Sequence, residues 1–279
     1  DSSVNASATT TTVTMLTAGW APGIFAGLEG ALVNFYKVSD NSLVSSAANA
    51  IFSVTSVDFT NHKVVFTGTA TGISALDTAL AAGDCYIHFK DAKSAEMYGL
   101  QAIATNTGSL FGIDASAYAL WSGSTYSFGS AAVTSAKLLN MAGMAVSKGG
   151  LLGEATILVS PKSFMNLSGT MTDNRRWNGG SKETEGVAGF ESIVLMGPNG
   201  KLNIMPHSFI KEGECLLVPF KQVRRIGTQE FSFQTPGRKD ELFLHIPDKN
   251  AYELRLYTGQ AIICLKPAQL VYGSGIVNS

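Results

Sequence analysis

The chain has 279 residues, of which 45% are hydrophobic and only 15% are charged, and its formal net charge is −1. This length is sufficient for a buried core in one or two domains, and the charge balance argues against a dedicated nucleic-acid-binding protein, which would carry a concentrated basic excess. A surface this poor in charge tends instead to associate with other protein surfaces.

The first third of the chain is predicted to be an arm followed by β-structure. Residues 1–12 are low-complexity Ser, Thr and Ala, which indicates an extended or disordered arm. Glycines and a proline between residues 19 and 30 break any long helix there. Residues 31–90 are rich in Val, Phe, Ile and Thr and predict small antiparallel strands, with a turn at Thr60-Asn61-His62 where Asn tolerates left-handed geometry.

Residues 99–126 are punctuated by Gly and Ser and predict a long, ordered connecting segment. Its aromatic residues Tyr118, Trp121 and Tyr126 are expected to anchor it against neighbouring structure. The clearest predicted helix follows over 134–148, because Thr134 or Ser135 can cap its start and Gly149-Gly150 offers a left-handed stop.

The remainder of the chain reads mainly as strands. Residues 157–159 predict a buried strand, and Ser160-Pro161 ends it and opens a short helix. Residues 170–189 are polar and Gly-rich, which predicts an exposed loop. From residue 190 onward strands are joined by turns, among them residues 197–200 and Thr258-Gly259-Gln260, the latter reversing the chain into a last strand.

The stretch "NGKLNIMPHSFIKEGECLL" (199–217) places four reactive side chains within nine positions: His207, Glu212, Glu214 and Cys215. The pattern puts them on different elements at the rim of a sheet, since Pro206 ends one strand and Cys215 begins the next. A hydrolase using Cys215 and His207 is the enzymatic hypothesis, but no nucleophile elbow, phosphate loop, dinucleotide fingerprint or metal spacing supports it. We therefore expect no enzyme activity, catalytic residue, cofactor or metal.

The three cysteines, Cys85, Cys215 and Cys264, form no C-x-x-C pair and read as isolated buried thiols. No apolar run long enough for a membrane span and no signal peptide is present, so no membrane partner is expected. Two arginine doublets, Arg175-Arg176 (followed by Trp177) and Arg224-Arg225, are either solvated positions or contacts to a carboxylate on a neighbouring subunit.

The order of these pieces resembles that of the major capsid (coat) proteins of tailed bacteriophages, the group that shares the HK97-like fold. The likeness spans residues 99–279. It is carried by "TGSLFGIDASAYALWSG", by "SAKLLNMAGMAVSKGG" with "ATILVSPKSFMNLSG", by "GFESIVLMGPNGKLNIMPHSFIKEGECLLV" and by "ELRLYTGQAIICLKPAQLVYGSGI".

The resemblance implies an α+β fold of HK97-like type, with A- and P-domain type sheets and few helices. It implies an N-terminal arm and connector over 1–30, a small β-rich domain over 31–98 and a capsid core over 99–279. The β-rich domain is either an insertion or an extended loop. The helix over 134–148 is short for the family's spine helix.

The implied function is a structural subunit that self-assembles into an icosahedral phage head around double-stranded DNA. Its partners would be copies of itself in hexamers and pentamers, packaged DNA held without sequence specificity, and scaffolding, portal or decoration proteins. Its place would be the virion, after assembly in the host cytoplasm. The interface candidates are Arg175, Arg176, Trp177, Arg224 and Arg225. The alternative is a β-rich decoration or surface module that binds sugar through Tyr118, Trp121 and Tyr126.

Overall fold

Two β-sheets, each with its own hydrophobic core, organise the chain into a sheet-dominated α+β fold. The structure is a computed structural model that describes residues 9–173, 193–197, 200–234 and 242–278. None of the helices within these ranges is both long and apolar enough to cross a membrane.

The first sheet is built from residues between Thr10 and Phe89 and is antiparallel throughout. Its strands lie in the order β1-β4-β3-β2-β5. The elements of this part of the chain are β1 (Thr10–Thr14), α1 (Pro22–Phe25), β2 (Leu32–Lys37), β3 (Phe52–Asp58), β4 (Lys63–Thr67), α2 (Ala70–Ala82) and β5 (Cys85–Phe89).

The antiparallel strands over 31–90 are confirmed, but α2 was not predicted. Its sequence is dominated by Ala, Thr and Gly, so its apolar stripe is faint. The helix forms because Thr69 caps its start, accepting a hydrogen bond from the Gly72 backbone N, and because Ile73 and Leu76 are buried in the core of the first sheet. The turn before β4 is also confirmed, although the left-handed residue is His62 (φ 53°) rather than Asn61.

The second half of the chain forms a mixed six-stranded sheet in the order β10-β11-β9-β12-β17-β8. Strand β11 runs parallel to β9, and β17 runs parallel to β8. The elements are α3 (Leu100–Ala104), β6 (Ser109–Leu110), β7 (Ile113–Asp114), β8 (Ser124–Ala131), α4 (Ser135–Gly149), β9 (Ala155–Val159), α5 (Pro161–Asp173), β10 (Ile193–Gly197), β11 (Gly200–Pro206), β12 (Glu214–Val218), β13 (Val223–Ser232), β14 (Leu244–His245), β15 (Tyr252–Glu253), β16 (Tyr257–Cys264) and β17 (Val271–Ile276).

The predicted helix over 134–148 is confirmed as α4. Thr134 caps it, Lys148 lies in its last turn, and Gly150 ends it in the left-handed conformation (φ 57°). Its buried residues Leu138 and Met141 lie in the core of the second sheet, where α4 packs against β8, β10 and β17. Periodic apolar residues and both end signals agree here, which is why the prediction held.

The strand over 157–159 and the helix opening at Pro161 are also confirmed. Ser160 Oγ accepts a hydrogen bond from the Ser163 backbone N at 3.2 Å and thereby caps α5. The helix continues to Asp173, so the prediction of an exposed loop beginning at residue 170 is wrong for residues 170–173. The rest of that loop lies outside the described residues.

One of the turns predicted after residue 190 is wrong. Thr258-Gly259-Gln260 does not reverse the chain but lies inside the continuous strand β16, which pairs with β13 in a separate two-stranded ribbon. Gly259 faces a bulge where Gly227 and Gln229 pair with consecutive residues of β16. A glycine in a strand marks a bulge as readily as a turn, and the sequence does not distinguish the two. The division into segments 1–30, 31–98 and 99–279 stays a prediction.

Candidate assembly interface

Cys215 is a buried packing residue. It is only 1% exposed on strand β12, and its Sγ lies 3.6 Å from the Met141 sulfur. Burial raises the pKa of this thiol to about 12, so it stays protonated near neutral pH and cannot act as a thiolate nucleophile.

His207, by contrast, lies exposed just after β11, with its backbone N donating to the Val159 carbonyl at 2.9 Å. A buried thiol and an exposed imidazole do not form a catalytic pair. In the ranges that the structure describes, no three His, Cys, Asp or Glu side chains converge to hold a metal ion.

Glu212 joins the two sheets. Its backbone N donates to the Trp20 carbonyl at 2.9 Å, and its own carbonyl accepts from Asn278 Nδ2 at 3.0 Å. Its carboxylate is buried and lies 4.0 Å from both His62 Nε2 and Lys162 Nζ. His62 precedes β4 in the first sheet and Lys162 belongs to α5 beside the second, so side-chain nitrogens from both halves of the molecule lie beside this carboxylate.

The same junction is reinforced by ring stacking and by a close backbone contact. The Trp20 ring stacks on His62 and on Phe25, with centroids 4.6 Å apart in each pair. The Gly213 backbone N donates to the Ala18 carbonyl at 3.1 Å. The reactive-looking stretch 199–217 is therefore partly the joint between the two sheets, a role that its sequence gave no means of detecting, because the partners lie far away along the chain.

The ribbon of β13 and β16, with the described part of the chain between its strands, carries an exposed apolar surface. At the base of the ribbon, Val223, Ile262 and Cys264 pack with β12 and β17 residues. We call the described residues of 223–264, namely 223–234 and 242–264, the ribbon segment. Its large exposed apolar side chains are Ile226, Phe231, Phe233, Leu242, Phe243, Tyr252, Leu254 and Leu256. These exposed apolar side chains make the ribbon segment the candidate interaction surface of the described residues.

Arg224 and Arg225 both lie on β13 in this segment, and both are exposed. Consecutive strand residues point to opposite faces, so the two arginines do not form one basic site. Arg225 is paired with Glu230 on its own strand. Arg224 has no carboxylate within ion-pair distance among the described residues, and its guanidinium donates to the Val223 carbonyl at 3.4 Å. Its role as a subunit contact stays a prediction. Arg175, Arg176 and Trp177 lie outside the described residues.

The three aromatic residues of the connecting segment behave differently from one another. Trp121 is half-buried and its Nε1 donates to the Leu110 carbonyl at 2.9 Å, and Tyr126 packs edge-on against Phe128 with centroids 5.0 Å apart. Both are anchors, as predicted. Tyr118 is 66% exposed, and its ring makes no comparable hydrogen bond or ring contact with the described residues. The segment also contains α3, the β6–β7 hairpin and the start of β8, so it is more regular than predicted.

Comparison with known proteins identifies the kind of protein to which this arrangement belongs. The family model described as SU10 major capsid protein matches residues 79–240, which is more than half of the chain. No curated protein matches the chain. Among solved structures, the cyanophage A-1(L) capsid asymmetric unit is similar with a TM-score of 0.48 and 12% identity, over 95% of this chain and 96% of that chain.

The family match confirms the predicted resemblance to phage coat proteins, and it replaces the alternative of a decoration or surface module. The chain belongs to the SU10 major capsid protein family, and its role is a structural one in the capsid of a phage.

Proposed function

We propose that the chain is the repeating subunit of an icosahedral phage head, and that its ribbon segment supplies a principal contact between neighbouring copies. The observation that carries the proposal is the ribbon's uncovered apolar surface. Two strands alone are marginally stable in water and need a further layer against them. In a shell, a neighbouring copy provides that layer.

Closure of the shell would follow from repeated contacts of one kind. A ribbon that binds a different surface on the next copy makes a head-to-tail contact, and such contacts close into rings when the rotation between copies permits. Hexamers and pentamers of this sort would tile the head. Each contact need not be strong, because many are made at once.

The finer features of the proposal are those that the resemblance implies. The six-stranded sheet with α4 and α5 would be the core of an HK97-like fold, and the first sheet would be the inserted or extended-loop domain. Of the predicted loop over 170–189, the part after α5, residues 174–189, would adapt between ring types. The head would enclose double-stranded DNA. A chain of net charge −1 suits a lining that holds DNA weakly. Scaffolding, portal and decoration proteins would be its partners, and assembly would take place in the host cytoplasm.

A pair of matched substitutions tests the ribbon. Phe231→Ser removes a side chain that is 71% exposed on the ribbon segment, and Leu152→Ser removes one that is 79% exposed outside it. We expect Phe231→Ser to lower the yield of shells or rings at least tenfold, since buried aromatic anchors typically contribute more than about 1.4 kcal/mol at an interface. Leu152→Ser should assemble as the unmodified chain does.

The measurement is negative-stain electron microscopy combined with sedimentation velocity at matched protein concentrations. Equal yields of shells or rings from the two variants would show that the ribbon segment is not a principal contact between copies. An unmodified chain that stays strictly monomeric at high concentration would contradict the proposed assembly as a whole.

A further inference from the structure

The short hairpin β6–β7 turns through two residues that both have positive φ, Phe111 at 52° and Gly112 at 78°. Positive φ at both central positions is the signature of a type I′ turn, for which Asn-Gly is the preferred pair. Gly112 suits its position. Phe111 does not, because a bulky L-residue in the left-handed region brings its Cβ against the following carbonyl.

The strained turn is held in place from its base. Leu110 is buried in a core cluster, and its carbonyl accepts a hydrogen bond from Trp121 Nε1 at 2.9 Å. The Ala115 backbone N closes the hairpin on the Gly108 carbonyl at 3.0 Å. The Phe111 ring itself lies at the tip, where it is 44% exposed. Within a single copy, a large part of the phenyl group is therefore exposed to solvent.

The hairpin tip stands beside an open apolar depression of about 870 Å³, whose base is formed by the end of α4 and by Pro267-Ala268. Leu120 on its wall is 64% exposed, and Tyr118 is exposed to a similar extent. We call the exposed apolar residues of this region the hairpin patch: Phe111, Ile113, Tyr118, Leu120 and Leu265.

The charge around the hairpin patch favours a protein partner. Between Met97 and Lys137 the sequence contains a single charged residue, Asp114, and its carboxylate accepts a hydrogen bond from the Ser116 backbone N at 2.9 Å. Two lysines line the depression: Lys148 donates to Ser122 Oγ and to the Gly123 carbonyl, and Lys266 is exposed. Charged residues are nevertheless few among these exposed aromatic and aliphatic side chains, and that is the composition of an interface core.

We infer that the hairpin patch is a contact surface for a second copy of this chain, with Phe111 as its anchor. The inference rests on the proposed function, which makes other copies the abundant partner. Strain at the turn is retained because the left-handed backbone aims the ring outward into the neighbouring copy, where the ring becomes covered. The patch shares no residue with the ribbon segment, although Leu265 directly follows the last residue of that segment.

Phe111→Asn tests the inference because the substitution should stabilise the turn and weaken the contact between copies. Asn relieves the strain, so the thermal unfolding midpoint of the unassembled chain should stay equal or rise. Loss of the ring should raise the protein concentration required for assembly by about tenfold or more. Phe111→Tyr keeps both the ring and the strain, and it should assemble like the unmodified chain.

A photo-crosslinking residue at position 111 gives a second readout that does not depend on a stable Asn variant. With benzoylphenylalanine at this position, irradiation of assembled samples should yield a covalent dimer on denaturing gels. Crosslinks confined to one chain, or Phe111→Asn shells that form at the same threshold as the unmodified shells, would overturn the inference while leaving the proposed assembly intact. An unmodified chain that forms no assemblies would overturn both.

Discussion

Cys215 and Gly273 are paired across strands β12 and β17, and their contact leaves no room for another methyl group. A Cβ added at Gly273 would lie 2.5 Å from Cys215 Sγ and 2.7 Å from the Phe128 ring. This explains both the glycine in the middle of a central strand and the complete burial of the thiol. The sequence predicted a buried thiol at Cys215, but nothing in it indicated the close contact that requires glycine at position 273.

Gly273→Ala should therefore destabilise the chain by about 2 kcal/mol, the usual cost of overpacking a well-filled core. Chemical denaturation of the unassembled protein measures the free energy of unfolding. In a Cys215→Ala background the cost should fall, because the sulfur that clashes is gone. An unchanged cost in that background would mean that the clash with Phe128 alone decides the effect.

Helix α4 shows how much of an element its own sequence can specify. Thr134, the apolar spacing from Leu138 and the Gly149-Gly150 stop were all legible, and the helix forms where they placed it. Helix α2 lacked such a stripe, and β16 contained a glycine that signalled a turn. In both cases tertiary packing decided the outcome, through the core of the first sheet and through pairing with β13.

Two glycines of α4 should respond oppositely to alanine. A Cβ at Gly149 would lie 2.6 Å from the Ala268 backbone, whereas a Cβ at Gly143 would meet nothing within 4 Å. Gly149→Ala should lower the free energy of unfolding by about 2 kcal/mol. Gly143→Ala should raise it by about 0.5 kcal/mol, because alanine lowers the entropy of the unfolded chain. Thermal or denaturant unfolding of both variants measures the difference. A neutral Gly149→Ala would contradict the close approach of α4 to residues 267–269.

At the scale of the whole molecule, the two sheets are joined at one junction, and Glu212 is central to it. Its buried Oε2 has no hydrogen-bond partner among the described residues, and His62 Nε2 and Lys162 Nζ each lie 4.0 Å from its carboxylate. The sequence indicated only that Glu212 lies at the rim of a sheet and gave no sign of its burial, because His62 and Lys162 reach it from distant parts of the chain. The sequence predicted the order of elements and the coat-protein family, but it did not predict the junction between the two sheets.

Lys162→Ala should lower the free energy of unfolding by about 1 kcal/mol, because it leaves a buried carboxylate with one cation fewer, while the partial exposure of Lys162 limits the effect. In a Glu212→Gln background the same substitution should cost almost nothing. The double-mutant cycle isolates the pair. Equal costs in both backgrounds would show that Lys162 does not act through Glu212.

One pairing in the six-stranded sheet has a further consequence for how a cell makes this protein. Strand β8 joins that sheet through β17, so the segment between them, including the apolar ribbon, is synthesised before the sheet can close. Such distant pairing forms slowly, since a large loop must be ordered first. During that interval the apolar side chains of the ribbon are exposed to solvent, and the incomplete chain is prone to aggregate. Newly made chains should therefore depend on chaperones, and the yield of soluble product should rise when these are supplied in excess or when expression is slowed by cooling.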